Sequence, residues 1–106
     1  MRWFRRRQRP GTTRRADLAD RDHLEAWAAA RRGVEAYLEP RTTVTETTMM
    51  LIDSNGEWTR RRVPSPEVAR GFAKRIGIPC YDVAITGYPQ RKRDYDARRS
   101  AESRRR

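Results

Sequence analysis

The sequence predicts an α+β fold: a small sheet of about four strands with two helices, in the order α-β-β-β-α-β, flanked by disordered basic arms. Three observations carry this. A β-branched stretch from Thr42 becomes continuously apolar at Met49-Met50-Leu51-Ile52 and runs into Asp53-Ser54-Asn55-Gly56, where Asn-Gly is the strongest short hairpin signal. Val68, Phe72 and Ile76 recur every four residues, which places one apolar stripe on a helix. The charge, finally, is segregated. Residues 1–15 carry seven Arg and no acid. Residues 16–90 carry ten basic and eleven acidic groups, and residues 91–106 carry eight basic and three acidic groups. The near-neutral stretch 16–90 is the candidate single domain, between a basic arm (1–15) and a basic C-terminal tail (91–106) that hold all of the net +11.

Taken in order, Pro10-Gly11 breaks the N-terminal arm. A helix begins near Asp17, where Asp17, Asp20, Asp22 and Glu25 suit the positive end of the helix dipole, and it ends at Arg31-Arg32-Gly33. Val34 to Leu38 alternates as a short strand that Pro40 closes. Thr42 to Ile52 reads as the next strand, its second half buried on both faces, and Glu57 to Val63 returns beside it. Ser65 caps the second helix, Pro66 occupies its first position, and Gly77 and Pro79 stop it. Cys80 to Thr86 reads as the last strand. It forms a crossover unit with Glu57–Val63 through the helix, and both helices lie on one face of the sheet.

At 106 residues the chain has the size of one domain with a modest core. Apolar residues make up 36% and charged residues 37%, against roughly 45–50% and 25% in typical globular chains. No stretch approaches the length of a membrane span, and no apolar run follows the first arginines as a signal peptide requires. Cys80 is the only cysteine, which excludes an intrachain disulfide and fits a reducing, cytoplasmic setting. His23 is the only histidine, which excludes a histidine-rich metal site; between Asp22 and Glu25 it reads as a solvated or ion-paired side chain. The glycines are isolated, so neither a P-loop nor a dinucleotide-binding G-x-G-x-x-G is present, and no cofactor is expected. No pair of carboxylates has a spacing that demands a catalytic site.

The partner expected is a polyanion, with nucleic acid first. Of the 25 basic residues all but Lys74 and Lys92 are Arg, whose guanidinium binds phosphate in bidentate fashion and stacks on bases. The candidate nucleic-acid-binding residues fall in three groups. In the N-terminal arm, Trp3 stacks while Arg5, Arg6 and Arg7 contact phosphate; in the tail, Arg91, Lys92 and Arg93 do so. On the strand from Glu57, alternation puts Trp58, Arg60 and Arg62 on one sheet face, either as a base-binding platform or as a solvated edge whose arginines discourage strand pairing. A protein partner docked on Tyr37, Trp58, Tyr81 or Tyr88 is the alternative, with the arms only steering association, and an open edge strand offers a route to a homodimer.

Several segments between Arg31 and Asp96 resemble a group of short, basic actinobacterial proteins. They are Arg31-Arg32-Gly33-Val34-Glu35, Glu39-Pro40-Arg41 through Thr48, Gly56-Glu57-Trp58-Thr59-Arg60-Arg61, Gly77-Ile78-Pro79, Tyr81-Asp82-Val83 and Gly87 through Arg91 with Arg93-Asp94-Tyr95. The resemblance implies a cytoplasmic bacterial protein. Some members of the group carry an oxidoreductase label, yet this sequence shows no nicotinamide or flavin fingerprint.

Overall fold

The computed structural model describes residues 14–105. They form helix α1 (Arg14–Ala29), strands β1 (Glu35–Glu39), β2 (Thr48–Ile52) and β3 (Trp58–Arg62), helix α2 (Pro66–Ile76), strand β4 (Cys80–Asp82), the one-turn helix α3 (Val83–Thr86) and helix α4 (Gln90–Arg104). The four strands make one mixed sheet in the order β3-β2-β1-β4. β2 pairs antiparallel with both β1 and β3, while β4 adds parallel to β1. The chain therefore leaves one edge of the sheet at β3 and returns through α2 at the opposite edge. The anticipated crossover unit spans the whole sheet.

Both faces of the sheet are covered. On one, Ala36, Leu38, Met49 and Leu51 pack with Leu24 of α1 and with Val68, Ala69, Phe72 and Ala73 of α2. On the other, Tyr37, Met50 and Ile52 are buried beneath Trp58, Val83 and Tyr88. This explains the unbroken apolar run of β2: a central strand with two covered faces has no polar alternation to show. The turn after it is built on Asp53, whose Oδ1 accepts from the amides of Asn55 (2.9 Å) and Glu57 (3.1 Å). Gly56 completes the turn at φ 91°, a conformation that L side chains rarely adopt. In α2, Ser65 caps the Val68 amide at 3.2 Å, and Gly77, in the left-handed region, closes the last turn.

α1 begins at Arg14, inside the expected N-terminal arm, and three further elements differ from the sequence expectation. β2 begins at Thr48 because the Thr42 hydroxyl folds back to accept from the amides of Val44 (3.2 Å) and Thr45 (2.9 Å), a turn that competes with the strand ladder. β4 ends at Asp82, whose carboxylate accepts from the Ala84 amide at 2.8 Å and starts α3 instead. Residues 91–104, expected within a disordered basic tail, form all but the first residue of α4, and its first turns lie over the sheet face opposite α1 and α2. A helix with almost no apolar stripe gives no periodic signal in the sequence.

Candidate nucleic-acid interface

The second sheet face is a set of interlocking ion pairs laid over a small apolar floor. At its centre stands Glu39, the last residue of β1. Its Oε1 accepts from Arg60 Nε at 2.7 Å and from the Thr48 hydroxyl at 2.7 Å, and its Oε2 accepts from Arg60 Nη2 at 2.8 Å and from the Tyr88 hydroxyl. Neighbouring strands supply these partners directly, since Glu39 pairs with Thr48 in the ladder and Arg60 lies one strand further on. Burial alone would raise the Glu39 pKa. The bonds from Arg60, Tyr88 and Thr48 outweigh that effect and hold the carboxyl below its ordinary range.

The first two turns of α4 attach beside this centre. Arg91 spans to β1 and to the hairpin, with Nη2 2.6 Å from Glu35 Oε1 and Nε donating to the Asp53 carbonyl at 2.8 Å. Trp58 donates its indole N–H to Asp96 Oδ1 at 2.8 Å, and Asp96 is paired in turn with Lys92. The Lys92 ammonium lies 4.9 Å from the ring centroids of both Trp58 and Tyr88, and the Arg60 guanidinium lies 5.2 Å from the Trp58 centroid. Contact is so close at Gly56 that a Cβ there would stand 2.1 Å from the Arg91 carbonyl oxygen. No residue of α4 is buried, so polar contacts hold this helix in place.

Beside Arg91, the Tyr37 hydroxyl donates to Glu35 Oε1 at 2.9 Å. Burial, and then the bond to Glu35, push its pKa up to about 12. Tyr88 is raised in the same direction, by burial and by Glu39. A folded pKa above the unfolded value means that the stabilisation is complete below about pH 10 and is lost as pH rises toward 12. Ultraviolet titration of the folded chain should accordingly show Tyr37 and Tyr88 ionising above the ordinary tyrosine range. Four tyrosines ionising together near pH 10 would contradict the buried Tyr37–Glu35 bond.

These contacts redistribute the residues singled out in the sequence. Trp58 and Arg60 do share a face, but that face lies under α4, with the Trp58 ring between two cations and Arg60 committed to Glu39. Arg62 is exposed at the far end of β3. Arg91 and Lys92 are bound to Glu35 and Asp96, while Arg93 is exposed with only Gln90 as a partner among the described residues. Trp3, Arg5, Arg6 and Arg7 lie outside the described residues. Of the aromatics proposed for a protein partner, Tyr37 is buried, Trp58 and Tyr88 are half-buried, and Tyr81 is 37% exposed on β4. Sequence reasoning missed Glu39 and Asp96 as organising carboxylates. The i,i+4 spacing of Lys92 and Asp96 was the only available signal.

On the opposite face, His23 Nε2 lies 2.6 Å from the Thr59 hydroxyl, and burial together with Arg61 holds its pKa below the ordinary value. Arg61 also pairs with Asp20 at 3.5 Å. Cys80 is half-buried, and burial pushes its thiol pKa up, away from a reactive thiolate. Among the described residues no group of three or more His, Cys, Asp and Glu side chains could hold a metal ion, and no helix is long and apolar enough to cross a membrane. The chain matches no protein-family model, no curated protein and no solved structure.

Proposed function

We propose that this is a small cytoplasmic accessory protein that binds the phosphate backbone of nucleic acid, free or on a ribonucleoprotein surface, through its Arg-rich ends. The observation that carries this reading is the division of the cations at the C-terminal end. Arg91 and Lys92 are consumed by Glu35 and Asp96, whereas Arg93, Arg98, Arg99 and Arg104 have no carboxylate partner among the described residues. A helix that is polar all round and buries nothing owes its sequence to something other than the core. Guanidiniums released from mobile counterions by phosphate give affinity that falls steeply with salt.

The test is the salt dependence of nucleic-acid binding. Replacing Arg93, Arg98, Arg99 and Arg104 together with Gln is expected to lower the slope of log K against log salt by about 3 to 4. An unchanged slope would remove α4 from the interface. A second reading, a protein-interaction module, draws on Tyr81 and on Ile85, which is 84% exposed, beside the open edge of β4. Crosslinked partners that survive both nuclease and high salt would favour it.

A further inference from the structure

We infer that the chain self-associates as a two-fold dimer through the open edge of the sheet, pairing β4 antiparallel with β4 of a second copy. This rests on the protein-interaction reading above, to which it gives a definite partner, and the contact uses none of the arginines assigned to phosphate. The two edges of the sheet are unlike. β3 ends in Arg60-Arg61-Arg62, and α1 packs against it through His23–Thr59 and Asp20–Arg61. Arginines on an edge strand discourage pairing with another chain. The β4 edge has no such guard. From Cys80 to Thr86 the one charged residue is Asp82, and among the described residues no strand lies beyond β4. Tyr81 is 37% exposed on this strand, and Ile85 is 84% exposed on α3 directly after it.

The register selects a second copy as the partner. The Ala36 amide donates to the Pro79 carbonyl at 2.9 Å. Backbone groups of successive residues point to opposite sides of a strand, so those of Pro79 and Tyr81 face β1 and those of Cys80 and Asp82 face outward. Antiparallel pairing centred on Tyr81 sets Cys80 opposite the second copy's Asp82, where the two residues exchange both N–H···O bonds, and the two-fold axis repeats the exchange. The Asp82 carbonyl also accepts from the Thr86 hydroxyl at 3.3 Å, but a carbonyl has two lone pairs. Tyr81 then faces its own counterpart in a non-hydrogen-bonded pair, where side chains come closest. Its ring centroid lies 5.3 Å from that of Tyr37, so the tyrosines of one copy continue into those of the other as one aromatic row. An unrelated strand offers the same backbone groups without the matching ring; a second β4 supplies both. Three paired residues on each side make a small interface of the transient class. Each chain carries +11, and that repulsion opposes the contact. Salt screens it, so the dimer strengthens with salt where phosphate binding weakens.

The test is sedimentation equilibrium of the full chain, from about 10 µM to about 1 mM and at two salt concentrations. The mean mass should rise toward that of two chains, and further at the higher salt. Tyr81→Lys sets two ammonium groups face to face and should weaken association about tenfold. Val44→Lys adds the same charge at a site 88% exposed elsewhere and should leave association unchanged. A second readout does not require β4 to tolerate lysine. In a Cys80→Ser background, Tyr81→Cys brings its sulfur within disulfide reach of its counterpart, so mild oxidation should link the copies at least about tenfold faster than in Val44→Cys. A mass of one chain at every concentration overturns the dimer, as do equal losses in the two lysine variants or equal crosslinking in the two cysteine variants. If the mass stays at one chain while Tyr81→Lys abolishes crosslinking to a different protein, self-pairing is overturned and the protein-interaction reading stands.

Discussion

Replacing Gly56 by alanine is expected to destabilise the fold by about 3 kcal/mol and to free α4 from the sheet. Two costs combine. Gly56 holds φ at 91°, where a side chain strains the backbone by roughly 1–3 kcal/mol. The added Cβ would also meet the Arg91 carbonyl oxygen at 2.1 Å and Tyr95 Cβ at 3.0 Å. Backbone cannot yield as a flexible side chain does, so the helix has to move. Urea unfolding measures the first effect, and hydrogen exchange across residues 90–98 measures the second. Gly71→Ala is the control: it lies within α2 with nothing within 4 Å of the new Cβ, and it should stabilise by about 0.5–1 kcal/mol. Unchanged protection of α4 in Gly56→Ala would show that the helix does not rest on the hairpin.

Glu39→Ala is expected to cost about 2 kcal/mol, the next largest effect. It removes a carboxylate whose side chain is only 13% exposed and leaves Arg60, Thr48 and Tyr88 without their shared acceptor. Loss of a buried ion-pair partner can cost more, but Arg60 is 41% exposed, and water recovers part of its solvation. The pH dependence has a definite sign. The folded pKa of Glu39 is depressed, so its stabilisation is present above the ordinary value of 4.5 and is lost as pH falls through the lower folded value. Wild type should therefore lose stability below about pH 4.5 more steeply than Glu39→Ala. Parallel acid unfolding curves would show that the carboxylate is not held by Arg60.

The parts of the fold that follow from periodicity and local chemistry were legible in advance. The Val68–Phe72–Ile76 stripe, the Ser65 cap and the Asn55-Gly56 turn each act within a few residues, and each is where the sequence placed it. The continuous run at Met49–Ile52 correctly indicated a strand covered on both sides, though not what covers it. What remained hidden was decided over distance. α4 shows no apolar period because Arg91 and Asp96 dock it by hydrogen bonds to residues 38 to 56 positions away. For the same reason the alternation along β3 gave the shared face of Trp58 and Arg60 but not its occupancy. The charge segregation was visible, but not which cations are already spent: Arg91 and Arg93 differ only in the side of the helix they take.

The carboxylates of Glu35, Glu39 and Asp96 amount to resident counterions. Each is tethered within a single fold to the cation it neutralises, at an effective concentration of millimolar or more that no dilution changes. A phosphate polymer arriving at Arg60, Arg91 or Lys92 has to evict a bound anion that cannot diffuse away. The same polymer arriving at Arg99 or Arg104 displaces only dissolved salt ions, whose release it gains as entropy. Cations of one chemical kind are thereby sorted by the chain into a fixed set that holds the helix and an exchangeable set that is open to solution.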